Sequence, residues 1–204
     1  MNSLVDGRNA HTMRRDLRAV IAFIAVIWVV FALDQVLPLE LLGLIPRTFG
    51  GLTGVVAMPF LHGNFQHLMG NTIPLAITLL LLAGSRANSG AIVVLITVIG
   101  GLGLWVFGRS AIHIGASGLV FGLIAFHVFA GIFEKRFQSI AIAFVVGALY
   151  ATTFIKGVIP MQEGVSWDGH LFGGIAGVLV SFVMAKVLRD EKSTSRASND
   201  RSRT

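Results

Sequence analysis

No cysteine occurs among the 204 residues, so disulfides, thiolate nucleophiles and cysteine-ligated metal sites are excluded. Charge is scarce as well. Asp, Glu, Lys and Arg make up 13% of the chain, about half the share of an ordinary soluble domain. In their place stand 54% hydrophobic residues and a mean hydropathy of +0.80. A soluble chain this apolar would need a core too large for its surface, so the composition points to a polytopic membrane protein. The net charge of +6 sits in tails and short loops. That placement fits anchoring at a membrane face and not a nucleic-acid surface, so no nucleic-acid partner is expected.

A helix needs about 20 apolar residues to cross a bilayer. Six runs meet that need, near Leu17–Val36, His67–Gly84, Ala91–Phe107, Ser117–Phe133, Phe137–Ile155 and His170–Leu188. The expected fold is all-α, a polytopic helical bundle with six transmembrane helices. The first run follows Arg14, Arg15 and Arg18, as a secretory signal would. Its length, the lack of a clear small-x-small cleavage site and the later spans mark it as a retained helix. Residues 1–16 form a short tail, 17–189 the membrane domain, and 190–204 a Ser-, Arg-, Lys- and Asp-rich tail expected to be disordered. The longest loop, Leu37–Gln66, is Gly- and Leu-rich and holds Pro38, Pro46 and Pro59. It is too apolar for a solvated loop and is expected in the outer leaflet.

Orientation follows from the basic residues. With both termini cytoplasmic, the inner segments hold Arg8, Arg14, Arg15, Arg18, Arg86, Lys135, Arg136, Lys186, Arg189, Lys192, Arg196, Arg201 and Arg203. The outer segments hold only Arg47, Arg109 and Lys156. Thirteen against three predicts a multi-pass protein of the cell membrane with cytoplasmic termini. His67, Ser117 and His170 then lie at the extracytoplasmic ends of three different spans.

Polar side chains at that depth cost several kcal/mol unless they are paired or used. Ser117 stands between Gly115 and Gly118 at a helix start, where unpaired backbone N–H groups can meet a developing oxyanion. A lone Gly-x-Ser-Gly carries little by itself, because serine in membrane helices often bonds its own backbone. His170 opens the last span, where Gly169, Gly173, Gly177 and Ser181 recur every four residues. Such a small-residue face lets a partner helix approach closely, and the fourth span offers Gly118 and Gly122. Two helices meeting through these faces would bring His170 beside Ser117. Read blandly, the stripe is a packing motif with an incidental histidine.

His67 and Asn71, four residues apart, share one helix face and could donate hydrogen bonds to an oxyanion. His62 is expected to hydrogen-bond structurally and not to react. His170 could take the Ser117 proton and return it to a leaving amine. Asp168 could orient it but is expected to face water. His113 is expected to be solvated, and His127 to bond a neighbouring helix.

The set Pro59-Phe60-Leu61-His62-x4-His67-x3-Asn71, then Gly115-Ala116-Ser117-Gly118, then Gly169-His170-x2-Gly173-x3-Gly177 resembles the rhomboid intramembrane serine proteases. The resemblance covers roughly Pro46–Leu188 and fits the compact six-span bacterial form. It implies a catalytic Ser117–His170 dyad, with His67, Asn71 and the Ser117 backbone N–H around the oxyanion. It also implies that the loop Lys156–Trp167 and the fifth span gate lateral access of a transmembrane protein substrate from the lipid bilayer. The cut would fall near that substrate's outer membrane boundary, after a small residue. Phe121 stands where many rhomboids carry a tyrosine that stacks on the histidine, and it keeps the stacking face. The first loop lacks the Trp-Arg pair of some members; Arg47 and Phe49 are imperfect substitutes.

No cofactor or metal is expected. A metalloprotease or metal transporter would use His62, His67 and His170, yet neither His-Glu-x-x-His nor a nearby carboxylate ligand is present. The Gly-x-Gly-Asp of intramembrane aspartyl proteases is missing too. The remaining alternative is a rhomboid-like protein that binds membrane clients without cutting them.

Overall fold

The computed structural model describes residues 2–86, 88–160 and 165–201. Its long helices are α1 (Asn2–Asp34), α3 (Phe65–Ser85), α4 (Ser89–Phe107), α5 (Ser117–Glu134), α6 (Phe137–Val158) and α7 (Trp167–Arg201). Six stretches within them are long and apolar enough to cross a membrane: Arg14–Asp34, Phe65–Ser85, Ser89–Phe107, Ser117–Glu134, Phe137–Val158 and Trp167–Asp190. The spans read from hydropathy thus recur within a few residues of their expected limits. No strand occurs among the described residues, and the fold is all-α.

α5 forms the hub. In its span 67% of the residues are buried, against 11% in α6, which places α5 at the centre of the bundle and α6 at its rim. The reason is sequence: α5 carries glycine where its neighbour α7 also carries glycine. A Cβ on Gly173 would collide with the Gly118 carbonyl oxygen, and one on Gly177 with that of Gly122. In return, Cβ atoms on Gly118 and Gly122 would lie 3.2 and 2.9 Å from the carbonyl oxygens of Gly169 and Gly173. The helices therefore touch backbone to backbone, as small-residue faces permit. A larger side chain here must push them apart. Gly177→Leu is expected to destabilise the fold by about 1–3 kcal/mol, as overpacking does, and a lowered thermal midpoint in detergent would report it.

One end of the bundle is tied by a buried ion pair. Arg86 Nη1 lies 2.6 Å from Glu134 Oε1, and the Ser139 hydroxyl donates to Glu134 Oε2 at 2.7 Å. This joins the ends of α3, α5 and α6. Arg86, read as an anchoring charge, is instead largely buried and paired.

The segment between α1 and α3 is folded into helical turns at Leu39–Leu42, Gly50–Leu52, α2 (Gly54–Ala57) and Met58–Phe60. Arg47 holds it to α4: its guanidinium donates to the Gly108 carbonyl at 2.6 Å, satisfying a backbone acceptor left free at a helix end. Trp105 Nε1 answers by donating to the Thr48 carbonyl at 2.8 Å. The tryptophan that accompanies Arg47 thus comes from α4, and Phe49 is exposed.

The C-terminal tail, expected to be disordered from 190, continues α7 as helix through Arg201. An existing helix has already met its nucleation cost, so added residues need only propagate it. Residues 202–204 lie outside the described residues.

Candidate active site

α3 begins where Asn64 accepts the His67 backbone N–H at 2.8 Å, an N-cap that makes His67 the third helical residue. His67 and Asn71 consequently face the same way. What they face is Gly115, whose φ of +114° lies in the region that favours glycine. A Cβ there would run into the His67 ring and stand 3.4 Å from Asn71 Nδ2. Only glycine lets the backbone just before Ser117 pass this close to both side chains.

His62 supports the same segment. The Ala116 backbone N–H donates to its Nε2 at 3.4 Å, and its ring meets that of His67 edge-on at 5.0 Å. Burial first, and His67 second, lower the His62 pKa from 6.5 to about 4, with the Phe60 backbone opposing them. The ring therefore stays neutral at neutral pH and keeps the lone pair that accepts from Ala116.

Ser117 is the first residue of α5 and is half-buried. The glycine ladder brings the start of α5 against the head of α7, with Gly118 facing the Gly169 carbonyl. His170 Nδ1 lies 2.8 Å from the Gly157 carbonyl oxygen of α6. A carbonyl only accepts, so in the neutral ring Nδ1 carries the proton and Nε2 keeps a lone pair. The Phe121 ring lies flat on the imidazole, with centroids 4.0 Å apart and planes 7° from parallel. Phe121 thus keeps the stacking face on the histidine. No direct hydrogen bond joins Ser117 to His170 among the described residues. In unliganded sites such contacts are commonly long and tighten with substrate.

Two neighbours differ from expectation. Asp168 is buried and not solvated; it accepts the Arg109 backbone N–H at 2.9 Å and lies 3.5 Å from the Arg109 guanidinium. His113 is buried as well, its Nδ1 2.7 Å from the Ser166 hydroxyl and its Nε2 3.1 Å from the Arg109 carbonyl. Arg109 also donates to the Val165 carbonyl. These contacts pin the head of α7 to the segment that leads into Ser117. Asp168 therefore orients a loop, while the Gly157 carbonyl orients His170. His127 bonds the Thr78 carbonyl of α3 at 3.0 Å, a helix-to-helix tie as expected.

Asn71 is buried, and its Nδ2 has no hydrogen-bond partner among the described residues. An unpaired buried amide is costly, and here it lies beside the backbone that carries Ser117. Taken together, the arrangement offers a hydroxyl, an imidazole with a free lone pair, and donors nearby. Sequence reasoning missed Gly157, since a backbone acceptor leaves no side-chain signature.

Comparison with known proteins places the chain in a family. The model of the family described as "Rhomboid domain" matches residues 50–187. An uncharacterised protein of Mycobacterium tuberculosis is 37% identical over 191 residues, covering 87% of this chain and 79% of its own length. An uncharacterised protein of Mycobacterium leprae is 32% identical over 193 residues, with 89% and 76% covered. Most of the chain, including every glycine of the α5–α7 contact, falls within the matched region, and the protein belongs to the rhomboid family.

Proposed function

We propose that this chain is an intramembrane serine endopeptidase that cuts single-span membrane proteins near their extracytoplasmic boundary. Ser117 Oγ attacks the scissile carbonyl carbon while His170 Nε2 takes its proton. The C–N bond then breaks, and the leaving amine receives that proton from His170. Water, deprotonated by the same nitrogen, hydrolyses the acyl-enzyme and restores Ser117. His67, Asn71 and the Ser117 backbone N–H hold the oxyanion.

The observation that supports this most is the contact of His170 Nδ1 with the Gly157 carbonyl oxygen. With Nδ1–H held at 2.8 Å by the Gly157 carbonyl, Nε2 of the neutral ring is left free to act as a base, and the backbone contact of α5 with α7 supports a pairing with Ser117. His62, Gly115, Gly118, Phe121, Gly173 and Gly177 then act in support: they set the approach of the backbones and the plane of the imidazole.

Both termini face the cytoplasm in this reading, and the site opens to the other side. α6 and the loop after it gate lateral access of substrate; of the loop expected at Lys156–Trp167, the first three residues finish α6, Trp167 starts α7, and residues 161–164 lie outside the described residues. The thin burial of α6 is in keeping with such a gate.

A fluorophosphonate probe tests the reading. Labelling of folded wild-type protein is expected, and it should vanish in both Ser117→Ala and His170→Ala. Folded protein that neither labels nor cuts any model span would favour a rhomboid-like binder of membrane clients.

A further inference from the structure

We propose that the last turn of α6 is part of what holds the His170 imidazole, so that α6 leaving the bundle also unsettles the base. Phe154 and Gly157 are then positioning residues. The inference rests on His170 being the proton-transfer group proposed above.

α6 is fastened differently at its two ends. Near its start, Ser139 bonds Glu134, Gly131 packs on Ala143, and Val146 is fully buried. Near its finish, several of the inward contacts converge on one ring. The Gly157 carbonyl accepts from His170 Nδ1 at 2.8 Å. Phe154 stacks on Phe121 at 5.3 Å, and Phe121 stacks on His170 at 4.0 Å. Phe154 also rests on α7 where Gly174 leaves room; a Cβ there would stand 3.0 Å from Phe154 Cζ. The His170 ring therefore touches α6 directly through a nitrogen and again through a ladder of two rings.

Each contact has a local cause. α6 ends at Val158, so the Gly157 carbonyl is among the last four and has no intrahelical donor. It is free to accept from a side chain. A Cβ at position 157 would collide with the Phe121 ring and lie 3.1 Å from His170 Nδ1. Glycine at this point keeps the helix end close enough to bond the imidazole.

The functional consequence comes from tautomerism. A neutral imidazole carries one proton, and only the Nδ1–H form leaves Nε2 able to accept from Ser117. The Gly157 carbonyl selects that form. When the end of α6 swings out, the selection and the flat stack are lost together, and part of the population takes the Nε2–H form. A gate independent of the base would behave differently: loosening it would admit substrate faster and leave His170 unchanged.

The experiment uses the full chain in detergent, with 15N-labelled histidine and a fluorophosphonate probe. The His170 signals are assigned by their loss in His170→Gln. Wild type is expected to show the Nδ1–H tautomer. Phe154→Ala and Gly157→Ala are both expected to show mixed tautomers and roughly twofold to tenfold slower labelling, the ratio set by one lost hydrogen bond. Labelling should slow although the probe arrives from water and has no need of a lateral gate. Phe154→Tyr restores the ring and should restore both readouts. Wild-type tautomer and labelling rate in both alanine variants would overturn the coupling. Wild-type protein that does not label at all would sink the proteolytic reading instead, while the tautomers of the variants still decide the coupling.

Discussion

Ser117→Ala is expected to remove cleavage of a model single-span substrate, a loss on the order of a million-fold, with the fold left intact. The substitution deletes one oxygen from a half-buried side chain. What holds the start of α5 lies elsewhere: the Ala116 N–H on His62, the Val120 N–H on the Ala116 carbonyl, and the glycine contact with α7. The thermal midpoint should therefore stay near wild type. Activity at the wild-type level would refute the nucleophile. His170→Ala is the less clean partner experiment, since it also deletes the bond to Gly157 and the stack on Phe121. A loss of activity there mixes chemistry with packing, whereas the serine variant isolates chemistry.

Spans and helix contacts were legible because they depend on one-dimensional signals. An apolar run bounded by basic residues sets a helix such as Phe137–Val158. Glycines four apart set the face by which α7 meets α5. What stayed hidden depends on contacts far apart in the chain or on the backbone alone. Arg47 folds the first long loop by capping α4 some 61 residues later. Asp168 looked solvent-facing because Arg109, its partner, lies 59 residues away. His113 pairs with Ser166 across 53 residues and with the Arg109 carbonyl, so spacing offered no hint of its burial. Gly157 acts through an atom every residue possesses. The end of α7 escaped for another reason: composition gauges whether a segment folds alone, not whether it prolongs a helix already formed.

Asn71→Ala is expected to slow turnover by about tenfold to a thousandfold, the usual cost of a lost oxyanion donor, mainly in kcat and not in KM. His67→Ala should fall in the same range. For Asn71 the stability readout makes the prediction sharp. Its Nδ2 is buried without a partner among the described residues, so the folded protein already bears the desolvation of that amide. Deleting it removes an unsatisfied donor as well as some packing, and the two effects oppose each other. Stability should therefore change by no more than about 1 kcal/mol while activity drops steeply. A residue kept only for structure would give the reverse pattern, a lower thermal midpoint with turnover of the folded fraction unchanged. Side-chain burial with no internal partner makes sense where the partner is an oxygen that exists only while substrate is reacting. Parallel measurement of melting and kcat in Asn71→Ala separates the two cases.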